Sequence, residues 1–422
     1  MSGTNVLIVK RPAEKVADGI FTLGGQGNSV LVDHGDGALL VDAGPGGEVT
    51  ETMIRNARAV NEKPITHIVF SHGHMGYNFG VDQWCRDAKS RGEPRPTLVA
   101  HDRVPARYRR YIETSGLQSY TNTRQFRTVY PENPPAHWFV MPDVTYDKQM
   151  RISGVVRDIV LFHAPSETDD ATALWIPGDR VLYGSCAFIK SCPNAGSPFR
   201  IPRDPLRWAE TLEGFLALKP KILIPEFGKP LVNPAEIEEA LTVPIHAIHY
   251  LRREVVARMN RGMNEVEIIH DIQYKEALFG HRFLKPTYGC PEYLVREIWR
   301  SENGWWDRNP TTLHPSPPSE AAEEILRAIG DPHAVMERVR ILKAQGKTQA
   351  ALHVIDLIAL ANPDGDLVTQ AQWLKAELLE IRSTQVTSVV SRQIYRSEAE
   401  VLRGEDIGSS DRGAIGKQFV WS

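Results

Sequence analysis

Two histidines one residue apart, His72 and His74, stand in the run Phe70-Ser71-His72-Gly73-His74-Met75-Gly76-Tyr77-Asn78. Thr66 to Phe70 before them is β-branched and aromatic, the composition of a short buried strand. After them Asn78 is placed to cap a helix that opens at about Phe79. Histidines at i and i+2 on the lip of a strand send both imidazoles into one mouth. Neutral imidazole is a ligand for zinc or iron, and one more protein ligand leaves an open position for catalysis. The competing reading is a pair of ordinary loop histidines. The loop His163 to Asp170 follows another strand pattern and is rich enough in carboxylates to supply the third ligand. His101, at the end of Thr97 to Ala100, either lines the same mouth or caps its own turn. The arginines behind it (Arg103, Arg107, Arg109, Arg110) suit an anionic substrate if one or two face the cleft. Asp42 closes an apolar run before a glycine turn, and reads as a turn cap or as a group orienting the metal-site loop.

The elements that must position these residues change character along the chain. Ala17 to Leu23, Asn28 to Val32 and Ala38 to Asp42 are three strand patterns separated by glycine turns, which predicts an antiparallel meander. A helix follows from about Glu48 to Val60. Gly44-Pro45-Gly46-Gly47 fits neither GxGxxG nor GxxxxGK, so no nucleotide loop is read there. Past Ala136 come further strands, Val155 to Phe162, Ala173 to Pro177 and Arg180 to Cys186. Then follow a helix from Asp204 to Leu218 and a last strand, Lys221 to Pro225. Beyond Pro230 the strand signal ends. Helical spacing covers Ala235 to Arg261, Asn264 to His270, Ser319 to Ile329, Ala334 to Gln345, Thr348 to Leu360, Leu367 to Arg382 and Val386 to Leu402. Gly346 to Ala351 leading to Ala361-Asn362-Pro363 has the cadence of one tetratricopeptide-like pair. The Trp299 to Trp306 stretch reads as an irregular crossing. A boundary near residue 240 is expected.

The chain has 422 residues, long enough for two domains. A net charge of −3 gives no basic signature for nucleic acid, and no apolar run approaches a membrane span. Met1 to Arg11 lacks the apolar core of a signal peptide. The four cysteines, Cys85, Cys186, Cys192 and Cys290, form no CxxC pair, so a cytoplasmic chain with reduced thiols is expected.

Strands, a glycine turn after Asp42, then Ser-His-Gly-His at a strand end resemble the metallo-β-lactamase superfamily, a four-layer αββα sandwich. Arg261 to Ile268, Asn303 to Pro315 and the helix pair after Ala334 are similar to the dimerisation domain of class III alkylsulfatases. The likeness covers nearly the whole chain, although a sterol-carrier-like C-terminal domain of that family is expected to be missing. The family pattern is His-x-His-x-Asp-His, a glutamate, an acidic bridging position and a late histidine, and it implies two zinc ions sharing a hydroxide. His72 and His74 match its first two positions, and Glu167 matches the glutamate. Gly76 and Tyr77 replace the Asp and the next His, Cys186 stands at the bridging acid, and Phe227 falls at the late histidine.

The resemblance therefore implies one ion per chain, zinc, held by His72, His74 and Glu167. The same three ligands equally describe an iron(II) triad. Cys186 is a further thiolate ligand or a small buried residue. Tyr77 is a catalytic phenol beside the ion or a filler of vacated space. His163, Asp169 and Asp170 are substitute ligands, whereas His246 and His249 are expected to pack or cap. The expected architecture is an α/β sandwich over residues 1–240 and an all-α domain over residues 241–422 that forms a homodimer. The expected activity is metal-dependent hydrolysis of an anionic or ester-like small molecule. Iron-dependent redox chemistry and a binding homologue without catalysis are the alternatives.

Overall fold

A computed structural model describes residues 7–127, 130–361 and 365–408. After a two-strand ribbon of β1 (Ile8–Val9) and β4 (Gly25–Gln26), the chain builds a seven-stranded sheet. Its order is β2 (Glu14–Ala17), β3 (Ile20–Leu23), β5 (Ser29–Asp33), β6 (Ala38–Val41), β7 (Ile65–Val69), β8 (Thr97–His101) and β9 (Val144–Tyr146). The first four are the antiparallel meander read from the glycine turns, and β6 to β9 pair in parallel. A second sheet orders β10 (Gln149–Ile152), β11 (Ile159–His163), β12 (Thr172–Ile176), β13 (Val181–Tyr183) and β14 (Ile222–Ile224).

The two sheets face each other, and strand alternation decides what fills the space between them. Along β6, Leu39 and Val41 point inward with Val30, Val69, Leu161 and Ile224. Ala38 and Leu40 point the other way, to α1 (Gly47–Val60), α2 (Val81–Ser90) and α3 (Val104–Glu113). With both faces covered, β6 is apolar at every position, as a buried parallel strand must be. The outer face of the second sheet is covered by α5 (Pro205–Ala217) together with the helices that follow it. The result is an αββα sandwich followed by an all-helical region.

One local expectation is corrected, and one helix was not expected. Asn78 does not cap α2, whose first turn opens at Gly80; its amide bridges the Ala43 N–H and the Asp42 carboxylate. Residues after Thr114 continue into α4 (Ser115–Phe126), a helix whose apolar pattern is too sparse to predict because its buried face is polar: Gln118, Thr121, Asn122 and Gln125.

Helix α6 (Pro234–Met259) runs unbroken through residue 240, so the boundary expected there falls inside a helix. Its Leu241, Ile248 and Leu251 share one core with Trp208 and Phe215 of α5 and with Leu294 and Trp299 of α9 (Pro291–Asn303). Between them lie α7 (Glu265–Asp271) and α8 (Glu276–Phe279). Helix α9 takes up Trp299 to Asn303, and the irregular crossing begins only at Gly304. A separate core joins α11 (Pro332–Ala344), α12 (Thr348–Ala359), α13 (Asp366–Thr384) and α14 (Val389–Leu402), preceded by α10 (Pro318–Ile329). Asn362 and Pro363 of the tetratricopeptide-like cadence, like Met1 to Val6, lie outside the described residues.

Candidate metal centre and its cleft

The parallel strands β6, β7 and β8 end on one edge of the sandwich, and the loop after β7 carries the two histidines. Asp42 holds that loop. It sits at φ 62°, and its Oδ1 accepts from the Ser71 N–H at 2.8 Å and from Asn78 Nδ2 at 3.1 Å. Ser71 Oγ in turn meets His72 Nδ1 at 2.9 Å, which leaves Nε2 to face His74. His72 Nε2 and His74 Nδ1 lie 3.0 Å apart. Burial lowers the pKa of His72 to about 4, and burial together with the His72 ring keeps His74 well below its ordinary value, so both rings are neutral.

Burial also pushes Asp42 up to about 7, although its hydrogen bonds act the other way. An unfolded aspartate ionises near pH 4, so between about pH 4 and 7 the unfolded chain binds fewer protons and stability falls as pH rises. From pH 5 to 8 this one group is expected to remove about 3 kcal/mol. Asp42→Asn should lose less over the same interval, as measured by urea unfolding at both pH values; equal losses would refute the assignment.

Glu167, in the turn after β11, opens on the same cavity as His74. Its Oε1 accepts from Asn194 Nδ2 at 2.9 Å and from Arg203 Nη1 at 2.8 Å. The carboxylate nearest the imidazoles is one the sequence did not single out. Glu226, just past β14, places Oε1 at 3.9 Å from His72 Nε2. Tyr77 donates its hydroxyl to that carboxylate and packs its ring 4.3 Å from the His72 ring, centroid to centroid. Burial, then the charge of Glu167, raises the pKa of Glu226 well above the ordinary carboxylate range. Burial, then Glu226, does the same to the Tyr77 phenol, which stays protonated. Phe227, the expected late-histidine position, joins an apolar cluster with Leu7 and Ile189.

The donor chemistry fits a single ion. Two nitrogens on one tetrahedral zinc at about 2.0–2.1 Å lie about 3.3 Å apart, within a few tenths of an ångström of the 3.0 Å between the two imidazole nitrogens. Glu167 and Glu226 bring carboxyl oxygens to the same cavity. Among the described residues neither carboxylate closes with both imidazoles to a mutual 4.8 Å; the group that reaches that spacing is His101, Asp102 and Asp147. Both ring nitrogens of His101 are engaged, by Asp147 O and by the Arg103 N–H, so that trio caps a turn. Among the described residues, the positions where the family pattern would hold a second ion carry other residues. Gly76 offers no side chain, and a Cβ there would stand 2.0 Å from Gln26 Oε1, whose amide donates to Met75 O.

The thiolate ligand read at Cys186 gains no support. The residue is fully buried, absent from the cavity wall, with Sγ against Ser166 Oγ at 3.8 Å and Thr168 Oγ1 at 3.9 Å. Burial pushes the thiol up. The substitute ligands are also engaged elsewhere. His163 stacks on His101 at 3.9 Å, Asp170 accepts from Arg107 Nε at 2.6 Å, and Asp169 pairs with the same guanidinium. His249 caps Glu213 at 2.8 Å on the surface.

The cavity beside His74 shares a wall with an outer cleft of about 270 Å³. The two share His74, Tyr111, Gln118, Glu167, Arg200 and Arg203. Arg200 is held there by neutral acceptors, Asn122 Oδ1 at 3.2 Å and Gln125 Oε1. Leu117, Phe199 and Ile201 form an apolar, exposed rim. Arg107 and Arg110 line the cleft, as expected for an anionic ligand, whereas Arg200, Arg203 and Glu226 carried no local sequence signal.

Residues 22–226 match the metallo-beta-lactamase superfamily, and residues 264–405 match the alkyl sulfatase dimerisation family. The chain is 26% identical to a linear primary-alkylsulfatase of Pseudomonas sp. (strain ATCC 19151), over 75% of this chain and 62% of that one. It is 21% identical to an (R)-specific secondary-alkylsulfatase of Pseudomonas sp., over 89% of this chain and 60% of that one. It thus spans less than two thirds of the length of these curated relatives. The solved structure of the stereoselective inverting sec-alkylsulfatase Pisa1 from Pseudomonas sp. shares the fold, with a TM-score of 0.81 at 19% identity, covering 97% of this chain and 68% of that one.

Proposed function

Because the chain belongs to the metallo-beta-lactamase superfamily and carries an alkyl sulfatase dimerisation domain, we propose that it is a metal-dependent hydrolase of alkyl sulfate esters, working as a homodimer. The observation that carries this reading is the pair of neutral imidazole nitrogens 3.0 Å apart, with His74 in the wall of a cleft it shares with Arg200 and Arg203. His72, His74 and a carboxylate, Glu167 as the family pattern implies, would hold one ion. Zinc is the expected metal; it would supply Lewis acidity and a water acidified to a pKa of roughly 7.

The chain's own residues do the rest. Among the described residues the hydrogen bonds of Arg200 go to amide oxygens rather than to a carboxylate, so an incoming sulfate meets a guanidinium without a carboxylate hydrogen bond. Leu117, Phe199 and Ile201 offer an alkyl chain an apolar bed. Tyr77, protonated and pinned by Glu226, fixes that carboxylate next to His72. Glu167 is steered by Asn194 and Arg203.

The test is metal analysis of protein purified without added metal, combined with release of inorganic sulfate from octyl sulfate. About one zinc per chain and sulfate release bear the proposal out. The Arg203–Glu167 pair favours a second reading, in which the guanidinium stands where the ion would and the cleft binds anions without hydrolysing them. Metal-free protein that binds octyl sulfate intact would establish that reading, and one iron per chain would point to redox chemistry instead.

A further inference from the structure

Arg200 owes its place to helix α4, and α4 is clamped from behind by the last described helix of the chain. Asn122 and Gln125 of α4 accept from Arg200, and Gln125 Nε2 meets the Tyr288 hydroxyl at 3.2 Å. On the opposite side of α4, Arg124 Nε donates to Glu398 Oε1 at 2.6 Å, and Ser397 Oγ donates to the carbonyl of Arg124 at 2.9 Å. Arg127, which ends α4 in the left-handed conformation at φ 51°, pairs with Glu400. Both side chains of that pair are buried, at 0% and 4% exposure. The second carboxylate oxygen of Glu400 accepts from the Gly408 N–H at 2.9 Å. The start of α14 holds the other wall: Ser388 Oγ donates to Tyr288 O at 2.6 Å. Helix α14 thus grips both neighbours of the guanidinium that faces the cleft, from within the dimerisation region.

A buried ion pair adds little net stability over an apolar contact but fixes geometry, because losing one partner strands the other charge. We propose that Glu400 and Glu398 are positioning residues for the cleft: α14 locks α4 so that Asn122 and Gln125 aim Arg200 at an anionic ligand. The helical region then serves ligand capture as well as assembly. The ligand half of this proposal rests on the function proposed above; the mechanical half does not.

The experiment therefore has two arms, both on the full chain. In the first, hydrogen exchange is compared between wild type and Glu400→Gln without ligand. Exchange should rise about tenfold or more across residues 115–126 and also across residues 198–203. Acceleration confined to α14 and α4, with residues 198–203 unmoved, overturns the link to Arg200. In the second arm, octanesulfonate, whose C–S bond resists hydrolysis, is titrated by calorimetry, and octyl sulfate turnover is followed. Binding should weaken and KM rise about tenfold, with kcat and metal content held within about twofold and Glu400→Asp partly restoring KM. A loss of kcat at unchanged KM and affinity overturns the proposal. Should Glu400→Gln fail to fold, Glu398→Gln, at the half-exposed pair, must show the same pattern at about threefold. Wild type that ignores octanesulfonate would defeat the proposed function, while the exchange arm still decides the mechanical link.

Discussion

His74→Ala is expected to empty the metal site. Among the described residues in the mouth, the two imidazoles already stand close to the separation one ion requires, with His72 Nε2 and His74 Nδ1 3.0 Å apart. Both are kept neutral by burial, with the pKa of His72 at about 4 and that of His74 well below its ordinary value, so no proton competes for their lone pairs at neutral pH. The carboxylates are poor substitutes. Glu167 is already engaged by Arg203 and Asn194, and Glu226 by Tyr77. With one imidazole gone, bound metal should fall from about one per chain to under about a tenth, and any octyl sulfate hydrolysis by about a thousandfold or more. The fold should survive, because His74 is only part-buried on a loop whose backbone is held by Asp42 and Asp170. Cys186→Ser is the matched control, with metal content unchanged, since its thiol lies off the cavity wall. Full metal occupancy in His74→Ala would show that the ion sits elsewhere.

Deletion of residues 241–422 is expected to give a chain that aggregates. The cut passes through α6 and strips the cover from the outer face of the second sheet. Leu241, Ile248, Leu251, Leu294, Ile298 and Trp299 are all at or below 2% exposure against that core. At about 2 kcal/mol for each buried apolar side chain, their loss comes to about 12 kcal/mol. That is comparable with the whole net stability of a domain, about 5–15 kcal/mol. Trp208 and Phe215 of α5 would be left facing water. Size-exclusion chromatography of the 1–240 fragment is the check, and a soluble monomer that retains metal would show the sandwich to be independent. A cut just after Met259 should be milder than one at 240, because α6 then stays whole.

The alternation of apolar residues through Ala17 to Asp42 was enough to place the meander, and helical spacing was enough to place α5, α6 and α11 to α14. The His-Gly-His run at the end of β7 was also legible, because both histidines sit on one short loop whose direction the preceding strand fixes. These are local facts, decided within a turn or a strand. The residues that complete the cleft are different. Gln118 and Asn122 of α4, Arg200 and Arg203 before α5, and Glu226 after β14 meet only because the two sheets pack and bring their loops to one edge. Helix α4 escaped prediction because the face it buries is polar, spent on holding Arg200 and the C-terminal helix rather than on apolar packing. Position 227 illustrates the rest. Neighbouring residues at a strand end point to opposite sides, so counting along the chain could not say whether Glu226 or Phe227 enters the mouth. Packing decided it: Phe227 goes to the apolar cluster with Leu7 and Ile189, and the Glu226 carboxylate turns to Tyr77 and His72.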